Sequence, residues 1–474
     1  MDMADADTPI EALEPCRARL RAAWDARKPD AAQRRDDLRR LRRAFVARLA
    51  DMDAAIARDF GHRSAHENLV SEAVVVLAEI DHALRHLDRW MRPRRVAVGW
   101  RFWPARAEVR AVPVGVVGII APWNYPVNLA LVPLVSAIAA GNHVFLKPSE
   151  HTPRTSRWLR SLLAEVFPDE RVAVALGGAE VGAAFAALAF DHLLFTGSAA
   201  IGRKVLVAAA ANLTPVTLEL GGKSPALVAP DFPIDSAAAR IASGKWFNAG
   251  QTCIGVDYAL VDARRRDAFA AAIGAQLRMR YGDLAQPDDY TRIINDSEYA
   301  RLLALVDDAR AHGAQVLQPI AVDPGRARRE RLFPPTLVLD APRDCALMRE
   351  EIFGPILPVI AYASTDDAIA YVNGFERPLA LYPFSRDRDF IERVLRDTLA
   401  GGVAVNDTLL HFGVHGLPFG GVGASGSGAI HGRAGFDTFS KQLPVFRQRR
   451  FAVTDRLRPP YAGMVDRVLR LLAR

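Results

Sequence analysis

Residues 114–220 alternate between short apolar runs and longer helical stretches. The apolar runs are continuous, which is typical of strands buried on both faces of a sheet. They lie at residues 114–120, 143–147, 172–175, 192–195 and 216–220. Strands that are each followed by a helix predict a parallel, doubly wound sheet of the α/β class.

The regions on either side predict further subdomains, because 474 residues exceed what one hydrophobic core usually organises. Residues 9–91 have a helical pattern that is interrupted near 28–29 and at 61, and residues 96–112 and 436–450 have strand-like patterns. A second α/β region follows the first, with strands predicted near Leu260, Thr336, Pro358, Leu381 and Val403.

Composition and charge argue against several classes of function. The net charge is +7, but the basic residues are mostly arginines interleaved with acidic and small residues in helical stretches, so we expect no nucleic-acid partner. The N-terminus is acidic and unlike a signal peptide, and the apolar stretch at 129–140 is short and contains Pro133, so no membrane span is expected. Three widely spaced cysteines predict neither a disulfide framework nor a metal site and suit a cytoplasmic protein.

Chemically distinctive residues follow the predicted strands where each strand ends. Ligands of doubly wound sheets bind beyond the carboxyl ends of the strands, so these residues are candidates for one site. They are Asn124, Lys147, Glu150, Gly178, Gly197, Ser198 and Glu219.

Two of these segments predict a nucleotide site. Phe195-Thr-Gly-Ser198 leads from a strand into a helix, the context in which a pyrophosphate binds at a helix N-terminus. Lys147 and Glu150 could both bind ribose hydroxyls, and a carboxylate there favours NAD over NADP. A glycine-rich turn is also common where no ligand binds, so the motif alone is compatible with either a nucleotide site or a purely structural turn.

Cys253 lies on a short loop between a helix, predicted at Ile234–Phe247 with Ser236 as its cap, and a strand predicted at Val256–Val261. The flanking residues Gly250 and Gly255 are expected to permit unusual backbone angles and close approach of a ligand. Such a loop suits a nucleophilic thiol, although a lone cysteine is more often a small core residue.

Two further residues could assist this thiol. Glu219 ends an apolar strand, where a carboxyl is expected to have a raised pKa and to act as a general base, or else to be a paired structural residue. Asn124, between two prolines in Pro122-Trp-Asn-Tyr-Pro126, is a candidate donor to an oxyanion.

Seven motifs in order resemble the NAD(P)-dependent aldehyde dehydrogenase superfamily over nearly the whole chain. They are WNYP at 123–126, KPSE at 147–150, FTGS at 195–198, LELGGK at 218–223, NAGQTC at 248–253, EEIFGP at 350–355 and LPFGGVGASG at 417–426. The resemblance implies that Cys253 is the nucleophile, Glu219 the general base and Asn124 the oxyanion donor. It implies further cofactor contacts from Trp123, Lys147, Ser149, Glu150, Gly178, Gly197, Ser198, Gly221, Glu351 and Phe353, with NAD as the cofactor and NADP as the alternative.

The resemblance also implies an architecture and a substrate. It predicts a Rossmann-type cofactor domain at 1–95 and 113–221, a catalytic domain at 222–430 and a small β oligomerisation arm at 96–112 and 431–450. The class-three branch is most similar, which implies a homodimer and oxidation of a coniferyl-type aromatic aldehyde through a thiohemiacetal and a thioester. Medium- or long-chain aliphatic aldehydes, a cofactor-independent thiol esterase and a CoA-acylating enzyme are the alternatives.

The family pattern differs from this chain at a few positions. Relatives often have Ala-Pro where this chain has Ile254-Gly255-Val256, and Met in place of Ser427, so the fit of the substrate is the property these changes affect. His411, His415 and His431 are interpreted as pocket or loop residues without a metal.

Overall fold

The computed structural model describes residues 6–282, 284, 288–450, 459 and 463–473. Residues 1–5, the start of the acidic N-terminus, lie outside them. The helices are α1 (Ile10–Ala26), α2 (Ala31–Ala47), α3 (Leu49–Phe60), α4 (Ala65–Asn68), α5 (Val75–Met91), α6 (Asn128–Ala140), α7 (Pro153–Val166), α8 (Ala179–Ala186), α9 (Ala199–Ala210), α10 (Ile234–Trp246), α11 (Arg266–Tyr281), α12 (Asp296–Ala311), α13 (Pro324–Glu330), α14 (Ala346–Arg349), α15 (Thr365–Asn373), α16 (Arg388–Asp397), α17 (Gly432–Thr438) and α18 (Met464–Leu472). None of these described helices is long and apolar enough to cross a bilayer.

The strands form three sheets. They are β1 (Arg94–Val96), β2 (Arg106–Pro113), β3 (Val116–Ile120), β4 (His143–Lys147), β5 (Val172–Val174), β6 (His192–Thr196), β7 (Val216–Glu219), β8 (Pro225–Val228), β9 (Tyr258–Asp262), β10 (Gln315–Leu317), β11 (Thr336–Leu339), β12 (Ile356–Tyr362), β13 (Ala380–Phe384), β14 (Gly402–Val403), β15 (Gly426–Ser427) and β16 (Ser440–Arg447).

The first sheet contains all five strands predicted in residues 114–220. Its order is β15-β7-β6-β3-β4-β5, and the five predicted strands run parallel, while the short β15 is antiparallel to β7. Every residue of β3 and β4 is buried, as their continuous apolar sequences require. The prediction of a doubly wound α/β fold is confirmed, and the carboxyl ends of these strands meet along one edge.

Helices cover both faces of this sheet. All thirteen residues of α6 are buried, so this helix is a core element without a polar face. Gly141 ends α6 in the left-handed conformation, with φ of 95°. The predicted helical region at 9–91 is confirmed as α1 to α5, and its last part contains one π-helical segment, Leu69–Val74, between α4 and α5. Such segments often occur where a helix borders a functional site.

The second sheet has the order β10-β11-β12-β9-β8-β13-β14, with β10 antiparallel and the other strands parallel. The five strands predicted in this region are confirmed. β8 and β10 were not predicted. β8 begins with a proline, and β10 is an edge strand without a fully buried residue, so neither has the sequence of a typical buried strand.

The third sheet is small and antiparallel, with β2 between β1 and β16. The pattern at 96–112 is confirmed as strand only in part, because a turn at Trp100–Phe102 separates β1 from β2. Strand structure was predicted from residue 436, but residues 432–438 form α17, and the strand begins at Ser440. Phe436 is fully buried, so burial against the core determines this segment more than its local pattern does.

One predicted helix cap differs in the structure, and another helix is capped by a tertiary contact. α10 begins at Ile234 after Pro233, so Ser236 lies inside the helix and does not cap it. Thr152 does precede α7, but its hydroxyl contacts the carbonyl of Ser149, while the Asp59 carboxylate accepts hydrogen bonds from the first backbone N–H groups of α7. A tertiary contact thus replaces the local cap.

Candidate active site

The loop that carries Cys253 begins where α10 ends. A tight turn at Phe247–Gly250 follows the helix, and Asn248 and Ala249 have φ values of 52° and 50°. Gly250 has φ of 73°, and a side chain there would collide with the carbonyl of Gly354. The strand after the loop begins at Tyr258, two residues later than predicted.

The two glycines beside Cys253 have packing roles. Gly250 approaches backbone rather than a cavity, and a Cβ on Gly255 would lie 3.0 Å from the carbonyl of Thr252. Gly255 is also outside the left-handed region that favours glycine. The expected unusual backbone angle is confirmed at Gly250 but not at Gly255, and each glycine packs against a backbone carbonyl. Close approach of a ligand at these glycines stays a prediction.

Asn124 and its neighbours join this loop to the first sheet. The Asn124 side chain is 3% exposed, and its Nδ2 donates to the carbonyl of Gln251 over 3.1 Å. The side chain of Asn248 donates to the backbone carbonyl of Asn124 over 3.0 Å. The hydroxyls of Tyr125 and Thr252 are 2.6 Å apart. These contacts hold the Asn124 amide beside the residues that precede Cys253.

A buried ion pair that was not predicted from the sequence contacts the backbone of Asn124. The side chain of Arg63 is fully buried and donates to the Asn124 carbonyl over 3.0 Å and to Glu72 over 3.1 Å. Its guanidinium lies about 5 Å from the ring of Tyr125. Glu72 also accepts from the backbone N–H of Asn128 over 2.7 Å. Burial raises the pKa of Glu72, and the charge of Arg63 opposes that rise.

Glu219 is the last residue of β7 and is 3% exposed. Neither carboxyl oxygen has a hydrogen-bond partner among the described residues. Burial therefore raises the pKa of Glu219 well above its usual value. The prediction of a buried glutamate with a raised pKa is confirmed, and a paired structural role is excluded within the described part of the chain.

Cys253 is partly exposed, and the pKa of its thiol depends on burial and on the carboxyls near it. Burial raises the pKa of Cys253 to about 12, and the charges of Glu351 and Glu219 add to the rise. The backbone N–H groups of Ile254 and Cys253 oppose it. The two carboxyls and the thiol are thus close enough to interact electrostatically, and the thiol is protonated near neutral pH.

Glu351 faces this cluster from the second α/β region. Burial raises the pKa of Glu351 to about 8, the nearby Asp257 adds to the rise, and the backbone N–H of Gly222 opposes it. A Cβ at Gly221 would collide with the Glu351 carboxyl. Gly221 therefore permits this approach.

Most of the residues predicted to bind the cofactor lie along the carboxyl edge of the first sheet, whereas Glu351 and Phe353 belong to the second α/β region. The Nζ of Lys147, at the end of β4, is 2.6 Å from a carboxyl oxygen of Glu150. Burial acts to raise the pKa of Glu150, but the hydrogen bond from Lys147 keeps it below its usual value. Ser149 is 6% exposed, and its hydroxyl and carbonyl oxygens accept hydrogen bonds from the turn that leads into α7. Ser149 thus shapes this turn.

Two helix N-termini point to the same edge. Gly178 precedes α8, and no atom lies within 4 Å of a Cβ built on it, so it borders open space. Ser198 caps α9 by accepting a hydrogen bond from Ile201, and the N–H of Gly197 donates to the carbonyl of Glu219 over 3.0 Å. The hydroxyl of Thr196 is buried and has no partner among the described residues.

Trp123 and Phe353 form an aromatic contact with ring centroids 5.4 Å apart. Phe353 has φ of 49°, which is unusual for an aromatic residue. The paired cation and carboxylate at 147 and 150, the open space at Gly178 and the unpartnered hydroxyl of Thr196 fit a nucleotide with ribose hydroxyls and a pyrophosphate.

A cavity of about 450 Å³ is lined in part by Cys253, and we call it the Cys253 cavity. Its lining is mostly apolar and includes the exposed part of the π-helical segment and α5. His415 lines the cavity, while His431 is almost fully buried and packs against Phe412. His411 packs near Phe419.

Comparison with known proteins agrees with this geometry. Residues 2–443 match the model of the aldehyde dehydrogenase family. The chain is 49% identical to a probable coniferyl aldehyde dehydrogenase of Pseudomonas aeruginosa over 97% of this chain and 96% of that protein. It is 39% identical to aldehyde dehydrogenase family 3 member B1 of Rattus norvegicus, which covers 97% of each chain. The structure of substrate-bound AldH of Staphylococcus aureus superposes with a TM-score of 0.93, at 37% identity, over 98% of this chain and 100% of that one.

The chain therefore belongs to the aldehyde dehydrogenase family, and the resemblance noted in the sequence is confirmed. It is an NAD(P)-dependent oxidoreductase that acts on aldehydes, with relatives in the family 3 branch.

Proposed function

We propose that this enzyme oxidises an aromatic, coniferyl-type aldehyde to its carboxylic acid, with Cys253 as nucleophile, Glu219 as general base and Asn124 as oxyanion donor. The observation that carries the assignment is the pair of buried, unpartnered Glu219 oxygens within the electrostatic reach of the Cys253 thiol. A buried carboxyl without a partner is costly to fold, so its position beside a thiol supports a chemical role.

The thiol of Cys253 attacks the aldehyde carbon, and the carbonyl becomes an oxyanion. The Nδ2 of Asn124 has two hydrogens and uses one for Gln251, which leaves the second for the oxyanion. Because the pKa of Cys253 is raised to about 12 with no ligand bound, attack requires either added positive charge or transfer of the thiol proton to a nearby carboxylate.

When bound, NAD(P)+ would supply the hydride acceptor needed for conversion of the thiohemiacetal to a thioester. Lys147 and Glu150 are suited to bind a ribose, and Gly197 and Ser198 lie where a pyrophosphate would meet the N-terminus of α9. The carboxylate of Glu150 supports NAD over NADP, because it would repel a 2′-phosphate.

Glu219 then removes a proton from a water molecule that attacks the thioester carbon. The carbon–sulfur bond breaks, the acid leaves, and Cys253 regains a proton. A carboxyl with a raised pKa suits this task, because its conjugate base is strong enough to take a proton near neutral pH.

The apolar lining of the Cys253 cavity and the 49% identity to a probable coniferyl aldehyde dehydrogenase support an aromatic substrate. The same apolar lining is compatible with a medium- or long-chain aliphatic aldehyde, which is the second candidate. The test follows nicotinamide reduction with coniferaldehyde, benzaldehyde and a series of aliphatic aldehydes, with NAD and NADP separately. Aromatic preference supports the proposal, and strong aliphatic preference would overturn it.

We further propose a cytoplasmic homodimer. The three cysteines are unpaired, which suits a reducing compartment. The third sheet and the connection between β1 and β2 expose apolar side chains, including Phe446 at 54% and Trp103 at 69%, which supports burial against a second copy. We assign this oligomerisation arm to 96–112 and 431–450, the cofactor domain to 1–95 and 113–221, and the catalytic domain to 222–430. Sedimentation of the intact protein tests the dimer.

A further inference from the structure

The Cys253 cavity is apolar along most of its wall but contains one imidazole. Besides Cys253, its ionisable lining side chains are Tyr125, Asp407 and His415. The Tyr125 hydroxyl is 2.6 Å from that of Thr252. The Asp407 carboxylate accepts a hydrogen bond from the backbone N–H of Thr408 over 2.8 Å, so it stabilises its own turn. His415 is connected differently, to a carboxylate on another element.

Glu79 of α5 holds the His415 ring. Glu79 is 1% exposed; its Oε2 lies 2.7 Å from Nδ1 of His415, and its Oε1 accepts from the backbone N–H of Gly432 over 2.9 Å. Because the carboxylate accepts at both oxygens, Nδ1 carries the ring proton. In the neutral ring, Nε2 then carries a lone pair, and no hydrogen bond from the described part of the chain reaches it.

The His415 ring lies away from the chemical end of the cavity. Ser71, which borders the cavity, contacts Arg63 and Asn128 beside the Cys253 loop. Glu79 follows Ser71 by eight residues on the same helical segment, which corresponds to about 12 Å at the α-helical rise. A rise of this size leaves room for a phenylpropenal to extend from the Ser71 end of the cavity towards the His415 end.

We propose that His415, oriented by Glu79, accepts a hydrogen bond from the phenolic hydroxyl of a para-hydroxylated aromatic aldehyde whose carbonyl lies at Cys253. The inference rests on the function proposed above, since it needs the carbonyl at that thiol. The phenolic hydroxyl is the feature that distinguishes such a substrate from a purely apolar aldehyde. Because no donor among the described residues reaches Nε2 of His415, an aldehyde that offers a donor at that point gives this acceptor a partner that a purely apolar substrate would not provide.

The test compares three aldehydes in the full-length enzyme: 4-hydroxycinnamaldehyde, 4-methoxycinnamaldehyde and cinnamaldehyde. The methoxy compound has the same oxygen but no proton to donate. We expect the wild-type enzyme to have a kcat/KM for the hydroxy compound about three- to tenfold above that for the other two, the usual worth of one neutral hydrogen bond. His415→Phe should remove this preference by lowering only the hydroxy value, and His415→Gln, which restores an acceptor, should recover part of it.

His411→Phe is the matched control. Both ring nitrogens of His411 are buried without a partner among the described residues, and its ring does not line the cavity, so phenylalanine removes no hydrogen bond. This variant should keep the wild-type preference. Ratios between substrates within one variant cancel any loss of folded enzyme.

An unchanged hydroxy-to-methoxy ratio in His415→Phe would overturn the inference. In that case, continued turnover of cinnamaldehyde would leave the proposed function intact. Absence of turnover with all three aromatic aldehydes in the wild-type enzyme would instead refute the proposed function itself.

Discussion

Replacement of Glu219 by glutamine separates the two halves of the proposed reaction. The amide has nearly the same shape as the carboxyl, and no protein hydrogen bond is lost within the described residues, because neither oxygen of Glu219 has a partner there. Burial raises the pKa of Glu219, and no ion pair of this side chain is found among the described residues, so the substitution breaks no charge pair either. Folding and formation of the thioester should therefore survive.

Hydrolysis of the thioester should become much slower. A positioned general base contributes about 10²- to 10⁴-fold, which is about 3–5 kcal/mol in the activation free energy. We expect Glu219→Gln to lower steady-state turnover by that factor. Stopped-flow measurement of nicotinamide reduction should show a rapid first turnover of about one equivalent per subunit, followed by a slow phase.

The dependence on pH supplies a second readout. The working base is the deprotonated carboxylate, so wild-type deacylation should rise with pH through a pKa above 4.5, the usual value for glutamate. The variant should lose this limb. Because the folded protein binds the Glu219 proton more tightly than the unfolded chain, Glu219 reduces stability as pH rises from 4.5 towards its folded-state pKa. The difference in Tm, variant minus wild type, should therefore increase as the pH rises over this range.

Two outcomes would refute the role of Glu219. Turnover within threefold of the wild-type value would mean that another group activates water. Loss of the rapid first phase together with the steady state would mean that Glu219 acts before the thioester forms.

Three further changes test the surrounding contacts. Gly221→Ala places a methyl group against Glu351, so we expect a higher KM for NAD with a Tm within about 2 °C of the wild-type value, and an unchanged KM would contradict this packing role. Arg63→Ala leaves Glu72 buried without its cation, which should lower the unfolding free energy by about 3–5 kcal/mol in denaturant titrations; adding Glu72→Gln should recover part of the loss, and no recovery would contradict the ion-pair account. Glu150→Gln removes the charge that would repel a 2′-phosphate, so the ratio of kcat/KM with NADP to that with NAD should rise about three- to tenfold, and a fall would contradict the ribose assignment.

The sequence predicted those parts of the fold that depend on local pattern. The strands from β3 to β7 are continuous apolar runs, and β3 to β6 are each followed by a helix with recognisable ends, so both their positions and their parallel pairing could be inferred. Glu219 stood out because a carboxylate at the end of an apolar strand has few structural explanations. β10 was not predicted, because this edge strand is exposed or only partly buried and has no continuous apolar run.

The supports of the site could not be predicted, because they join residues that are distant in the chain. Arg63 reaches the carbonyl of Asn124 across 61 positions, and Glu79 meets His415 across 336. In the sequence, Arg63 and Glu79 are ordinary charged residues of a helical region rich in charge. Only the fold shows that they are buried.

The most direct test of the central claim is the mass of the enzyme during the reaction. Glu219→Gln protein mixed with NAD and 4-hydroxycinnamaldehyde should gain the mass of one acyl group per subunit, less one hydrogen, and digestion should locate the addition on the peptide that contains Cys253. Without NAD, this thioester should not form. Production of reduced cofactor with no acyl group on Cys253, or with the acyl group on Cys16 or Cys345, would contradict the mechanism.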